Sequence, residues 1–215
     1  IEWIRLHYAY PSKFPVEIFD AMAARDEVCN YLDIPLQHAS DAVLERMRRQ
    51  ITQAETRQLI ATARAKVPGL TLRTTMLVGF PGETAEEFEE LCDFVREMRF
   101  DRLGVFQYSH EENTRAPELE DDGPPELKQE RANRLMAIQQ EISEKLNARK
   151  IGQQLRVLFD RKEGDYFVGR SEGDSPEVDN EVLVPAARDF VRVGDFATVE
   201  ITDALEYDLI GRVVK

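Results

Sequence analysis

The stretch Leu72 to Glu87, L-R-T-T-M-L-V-G-F-P-G-E-T-A-E-E, constrains the fold most. Thr74, Thr75 and Val78 are β-branched, and Leu72, Met76, Leu77 and Phe80 keep the run apolar. Such a run suits a strand buried on both faces. Gly79, Pro81 and Gly82 break it, and Thr84 with Glu87 forms a capping box that opens a helix. In parallel α/β folds ligands gather at the carboxyl ends of strands, where this turn lies. Its glycines permit close backbone approach, and Glu83 adds a carboxylate. The alternative reading is a plain tight turn between strand and helix.

The same alternation runs through the first part of the chain. Trp3–Tyr8 reads as a strand, and Pro15 opens a helix carrying Ile18, Phe19 and Met22. Asn30–Leu36 reads as a second strand. Ser40 is expected to cap a helix with Val43, Leu44 and Met47, and Thr52 with Glu55 forms another capping box. Phe88, Leu91, Cys92, Val95 and Met98 make a helical apolar stripe, and Arg102–Tyr108 reads as a fourth strand. Strand–helix alternation implies a parallel sheet with helices outside, here half of a (β/α) barrel. Such a half barrel leaves strand edges open, and either self-association through that edge or a marginally stable N-terminal half is expected.

Residues 1–123 are assigned to this unit. A connecting helix is expected over 124–150, with Leu127, Leu135, Ile138, Ile142 and Leu146 inward. Residues 151–215 carry five short alternating segments punctuated by glycines, which suggests a small antiparallel β-barrel of the OB type.

The net charge of −13 argues against non-specific attraction to a nucleic-acid backbone. No apolar run approaches a membrane span and no signal peptide is visible, so no membrane partner is expected. Cys29 and Cys92 are the two cysteines, they form no C-x-x-C pair, and a reducing cytoplasmic location is the simple reading. The chain starts Ile1-Glu2-Trp3 without an initiator Met, as a piece of a longer protein would.

Several polar residues sit at strand ends. Gln37 and His38 follow an apolar strand and should share the ligand-bearing rim; His38 suits a hydrogen-bonded loop histidine as well as a functional one. Arg73 lies inside an apolar strand and must reach an anion or a carbonyl, as a structural salt bridge or as a binder of a ligand carboxylate. Phe106 and Tyr108 alternate and are expected on one face, as core or as an aromatic wall. His7, His38 and His110 are too scattered for a metal site.

The runs L-D-I-P-L-Q-H-A-S-D, L-R-T-T-M-L-V-G-F-P-G-E-T and G-V-F-Q-Y-S-H-E-E-N-T, in that order, resemble the methylthiotransferase branch of the radical S-adenosylmethionine enzymes. The runs S-P-E-V-D-N, G-D-F and D-A-L-E-Y-D-L-I-G resemble its TRAM domain. Q-H-A-S, Y-S-H-E-E-N-T and E-Y-D-L-I-G are more similar to the members that methylthiolate an aspartate of small-subunit ribosomal protein twelve than to the tRNA-modifying members. A non-catalytic module that only binds a partner is the reading from another class. The resemblance implies S-adenosylmethionine and two [4Fe–4S] clusters in the intact enzyme. It implies Gln37, His38, Arg73 and Thr75 as cofactor contacts, Gly79, Gly82 and Glu83 as the lining turn, and Phe106 with Tyr108 as the last-strand wall. The family's three closely spaced cluster cysteines are absent, so no metal ligand or catalytic residue is assigned here, and this polypeptide alone is expected to be inactive.

Charge points toward the partner. Residues 151–215 hold eight basic and fourteen acidic side chains, a net of 8 − 14 = −6. An RNA-binding small barrel should be basic, whereas an acidic one suits a basic ribosomal protein; tRNA is the less favoured partner.

Overall fold

The computed structural model describes residues 1–109 and 123–214. His110 and the acidic residues Glu111, Glu112, Glu118, Glu120, Asp121 and Asp122 lie outside them. The first part runs β1 (Ile4–Leu6), α1 (Ile18–Ala24), β2 (Val28–Asp33), α2 (Asp41–Arg46), α3 (Gln53–Lys66), β3 (Thr71–Val78), α4 (Ala85–Met98) and β4 (Arg102–Gln107). The strands pair in parallel in the order β1-β2-β3-β4. Both capping boxes form, at Thr52/Glu55 and Thr84/Glu87. Ser40 holds the N-cap position of α2, but its side chain makes no capping bond. The Ser40 N–H donates to His38 Nδ1 at 3.0 Å, so the imidazole fixes this loop instead.

β3 is covered fully on one face only. Leu72, Thr74, Met76 and Val78 are buried beneath the helices, while Thr71, Arg73, Thr75 and Leu77 are half-buried on the opposite, concave face. The expectation of burial on both faces fails because helices cover a single side. Their core gathers Phe19, Leu32, Leu72, Met76, Leu91, Phe94 and Phe100.

The connecting helix α5 (Pro125–Ala148) packs along β4 and α4 with a face more polar than the expected stripe. Leu127, Ile138 and Leu146 are only half-buried; Lys128, Arg131, Gln139, Ser143 and Asn147 are buried among Leu135 and Ile142. Most of these polar groups meet a specific partner. Lys128 Nζ donates to the Tyr108 carbonyl at 3.3 Å, Gln139 Nε2 to that of Phe100 at 2.9 Å, and Asn147 Nδ2 to that of Tyr207 at 2.9 Å. A buried polar group with its bond made costs little, so α5 can strap three elements together without an all-apolar face.

The last part is a closed barrel of β5 (Gln154–Glu163), β6 (Tyr166–Ser171), β7 (Val182–Pro185), β8 (Phe196–Ala204) and β9 (Leu209–Val213), in the order β5-β6-β7-β9-β8. Val157, Phe159, Phe167, Val184, Val199 and Ile201 fill it. It is not wholly antiparallel: β7 and β9 run parallel, because the chain crosses the barrel end before closing it. Among the described residues, no helix is long and apolar enough to cross a membrane.

Candidate functional site

The carboxyl ends of β2, β3 and β4 bring most of the sequence-predicted residues to one rim, with Arg73 lower on the concave face, and they divide into three groups. The first is open. Gln37 takes a left-handed backbone (φ +74°); its N–H donates to the Thr75 carbonyl at 2.9 Å, and its carbonyl accepts from Leu77 N–H at 2.7 Å. Its side chain is half-buried and makes no hydrogen bond among the described residues, and the same holds for Thr75. Thr75 lies opposite Gly104 on β4, and Leu77 opposite Phe106, so these residues share the concave face. A Cβ on Gly104 would meet nothing within 4 Å, and Phe106 is 61% exposed. The sequence reading missed Gly104; its signal was a glycine inside an otherwise regular strand.

The second group is committed to holding the turn. Glu83 Oε2 accepts from the N–H groups of Gly79 at 2.7 Å and Phe80 at 3.2 Å, and Oε1 accepts from Arg131 Nη1 of α5 at 2.8 Å. The Gly79 and Phe80 donors are thus used within the protein. Burial pushes the Glu83 carboxyl up, against the pull of Arg131 and the two amides. His38 Nε2 lies 3.9 Å from Glu83 Oε2, beyond hydrogen-bond reach. Burial lowers the His38 pKa to about 4, so the imidazole is neutral near pH 7. Gly79 (φ +71°) meets α5 so closely that a Cβ would lie 2.4 Å from Lys128 Cγ. Gly82 (φ +74°) gives its carbonyl to Arg46 Nη2 at 3.2 Å. Tyr108 belongs here too, buried against Val43 and edge-on to Phe80 at 5.3 Å. It does not form a wall with Phe106, because β4 ends at Gln107 and the alternation stops there.

The third group is Arg73. Its Nη1 donates to Asp33 Oδ1 at 3.1 Å and its Nε to Asp179 Oδ1 at 3.2 Å. Asp179 comes from the β6–β7 loop of the small barrel, which inserts against the concave face. There Asp179 also accepts from the Tyr31 hydroxyl at 2.7 Å, and Asp174 pairs with Arg102. Arg5 donates to the carbonyls of Ser171 at 2.9 Å and Glu172 at 3.2 Å. Gly173 lies so close to β3 that a Cβ would sit 2.6 Å from Thr71 Oγ1. Sequence reasoning did not anticipate this docking. Its one trace was an arginine in each of two neighbouring strands.

Residues 1–95 match the profile of the Radical SAM superfamily, and residues 151–214 that of the TRAM domain. The whole chain aligns with curated relatives named ribosomal protein uS12 methylthiotransferase RimO. That of Cytophaga hutchinsonii is 58% identical over 215 residues, covering 100% of this chain and 49% of the relative. That of Flavobacterium johnsoniae is 56% identical over 211 residues, covering 98% and 48%. The chain is a radical SAM protein with a TRAM domain. It spans about half the length of the curated relatives it matches. In shape the radical SAM part is similar to coproporphyrinogen III oxidase (HemN) from Escherichia coli. The TM-score is 0.55 at 22% identity, covering 65% of this chain and 32% of that one, a likeness of fold alone.

Proposed function

We propose that this chain is part of an enzyme that adds a methylthio group to an aspartate of the small-subunit ribosomal protein uS12. The observation that carries the reading is the alignment, over all of this chain, with relatives bearing that name at 55–58% identity. The net charge of −6 over 151–215 supports a basic protein partner over tRNA. The open edge of β1 is a further contact surface, available for pairing with another strand.

S-adenosylmethionine at a reduced iron–sulfur cluster supplies the radical chemistry of this superfamily. The residues fitted to hold it here are those with free polar or aromatic surface at the rim. Gln37 offers an amide donor and acceptor to a carboxylate or ribose hydroxyl. Thr75 offers a hydroxyl, Phe106 a ring face for adenine, and Gly104 the space beside them. Gly79, Gly82, Glu83, His38 and Tyr108 keep the adjoining turn in shape, and Arg73 fastens the floor below.

The cysteines do not fit a cluster. Cys29 is buried at the concave side of β2 and Cys92 is buried within α4, and burial raises both thiols, Cys92 to about 11. Neither provides the thiolate a cluster needs. No step is therefore assigned to a cluster on this chain.

The test is anaerobic iron–sulfur reconstitution of the intact protein with S-adenosylmethionine, a low-potential reductant, a sulfur source and uS12, read by peptide mass spectrometry. A methylthio group on an aspartate of uS12 is expected. Modification of a tRNA adenosine instead would overturn the substrate reading, and stoichiometric cluster on this chain alone would overturn the assignment of its cysteines.

A further inference from the structure

Asp33 closes β2 and touches both β3 and the segment after β1. Its Oδ1 accepts from Arg73 Nη1 at 3.1 Å, and its Oδ2 accepts from the Tyr8 N–H at 3.3 Å. Its main-chain carbonyl accepts from the Ala9 N–H at 2.9 Å. The far side of the Arg73 guanidinium is held by Asp179, which the Tyr31 hydroxyl (2.7 Å) and the Ser175 N–H (2.8 Å) fix in turn. A looser contact spans the same gap. His7 Nε2 lies 3.3 Å from Ser175 Oγ, and His7 Nδ1 lies 3.6 Å from Asp33 Oδ2, beyond hydrogen-bond reach. The route through Arg73 is hydrogen-bonded throughout, from the TRAM loop to the Asp33 carboxylate.

At the other end of that carboxylate stands Tyr8. Its backbone is left-handed (φ +54°), which a bulky side chain rarely adopts, and 82% of its surface is exposed. Its ring meets that of His7 at a tilt, centroids 6.3 Å apart, and Asp33 holds the Tyr8 and Ala9 amides. A strained residue fixed from outside and presented at a strand end is a site where strain serves binding.

We propose that Asp33 is a positioning residue that transmits TRAM docking to the mouth of the sheet, holding Tyr8 outward so that its ring stacks on a cationic side chain of the protein substrate. The stacking role rests on the substrate reading given above; the relay does not. An exposed tyrosine face attracts Lys or Arg, which a basic ribosomal protein supplies and an acidic enzyme does not repel.

Hydrogen exchange, followed residue by residue on the full chain, tests the relay. Asp179→Ala with Ser175→Ala removes both contacts on the TRAM side, away from the Tyr8 loop. The Tyr8 and Ala9 amides are expected to exchange about tenfold faster, while the Ile34 amide, bonded to the Arg73 carbonyl, keeps its rate. Unchanged exchange at Tyr8 and Ala9 beside a loosened TRAM loop would overturn the relay. Should that variant not fold, Asp179→Asn alone, which keeps the shape and removes the charge facing Arg73, is judged by the same two amides.

Kinetics of the intact enzyme test the stacking. Tyr8→Ala is expected to raise KM for uS12 about fivefold with kcat unchanged, and Tyr8→Phe, which keeps the ring, to restore it. A wild-type KM for Tyr8→Ala overturns the stacking role. Failure of the wild-type enzyme to modify uS12 at all overturns the substrate reading and, with it, the stacking role, while the exchange result still decides the relay.

Discussion

Arg73 and Arg102 stand opposite each other in register on neighbouring parallel strands, both toward the concave face. Like charges so placed repel, and such a pair persists only with counter-charges at hand. One loop supplies both: Asp179 for Arg73 and Asp174 for Arg102. The TRAM domain is thereby clasped to the sheet rather than tethered beside it.

The Arg102–Asp174 half of the clasp is the more deeply buried, with side chains 6% and 1% exposed. Asp174→Ala leaves the guanidinium buried and unpaired, and is expected to cost about 3–5 kcal/mol in urea unfolding. The pH dependence follows. Burial alone would raise the Asp174 carboxyl, but Arg102, Lys150 and Ser171 outweigh it and hold the pKa below the usual 3.8. A carboxyl depressed in the folded state stabilises above its unfolded pKa and loses that stabilisation as pH falls through the folded value. The wild type should therefore lose stability below about pH 4 more steeply than Asp174→Asn. Parallel acid-unfolding curves for the two proteins would refute this.

Gly79 admits no side chain, for two separable reasons. Its φ of +71° is left-handed, and a Cβ would overlap Lys128 Cγ at 2.4 Å. Gly79→Ala is expected to cost about 1–2 kcal/mol from the backbone alone, and more from the overlap. Adding Lys128→Ala should recover the second part only, giving a non-additive double-mutant cycle. Additive losses would show that the helix does not press on the turn.

Much of the fold was readable because local chemistry agreed with it. The capping boxes at Thr52 and Thr84, the stripe from Phe88 to Val95 and the glycine-punctuated strands each fix their element without distant help. The site was half readable. Gln37, Thr75 and Phe106 reach the open rim as strand ends should. Yet Glu83 turns inward, because Arg131 arrives from a helix 48 residues on. Arg73 is taken by Asp179 from 106 residues away. No periodicity in one sequence encodes pairings at that distance. The polar face of α5 was hidden similarly: Gln139 and Asn147 look like solvent-facing residues until the carbonyls they meet are in place.

His38 should leave a signature between pH 4 and 6.5. Burial lowers its pKa to about 4, while the unfolded chain titrates near the ordinary 6.5. Between those values the unfolded state binds the extra proton, so stability rises with pH across the window, by up to about 1.4 kcal/mol per unit. Glu83, raised by burial, contributes a slope of opposite sign just above its ordinary value. Comparing wild type with His38→Gln isolates the histidine: the variant's urea midpoint should climb less between pH 4 and 6.5. An identical climb would mean the imidazole takes up a proton without cost in its buried site.

The division of the rim into an open group and a supporting group predicts opposite signatures for the two kinds of substitution. Phe106→Ala and Gln37→Ala remove side chains that pack against little, so thermal stability should hardly move. In the intact reconstituted enzyme each should weaken S-adenosylmethionine binding about tenfold, or roughly 1.4 kcal/mol, measured by equilibrium dialysis. Glu83→Gln should do the reverse. It leaves Arg131 buried without its carboxylate and weakens the hold on the Gly79 and Phe80 amides, for a loss of about 3–5 kcal/mol in stability. Where that variant stays folded at low temperature, its affinity for S-adenosylmethionine should remain within about threefold of wild type, because the carboxylate faces the protein and not the ligand. Wild-type affinity in Phe106→Ala, or a large affinity loss in Glu83→Gln at unchanged stability, would exchange the roles of the two groups.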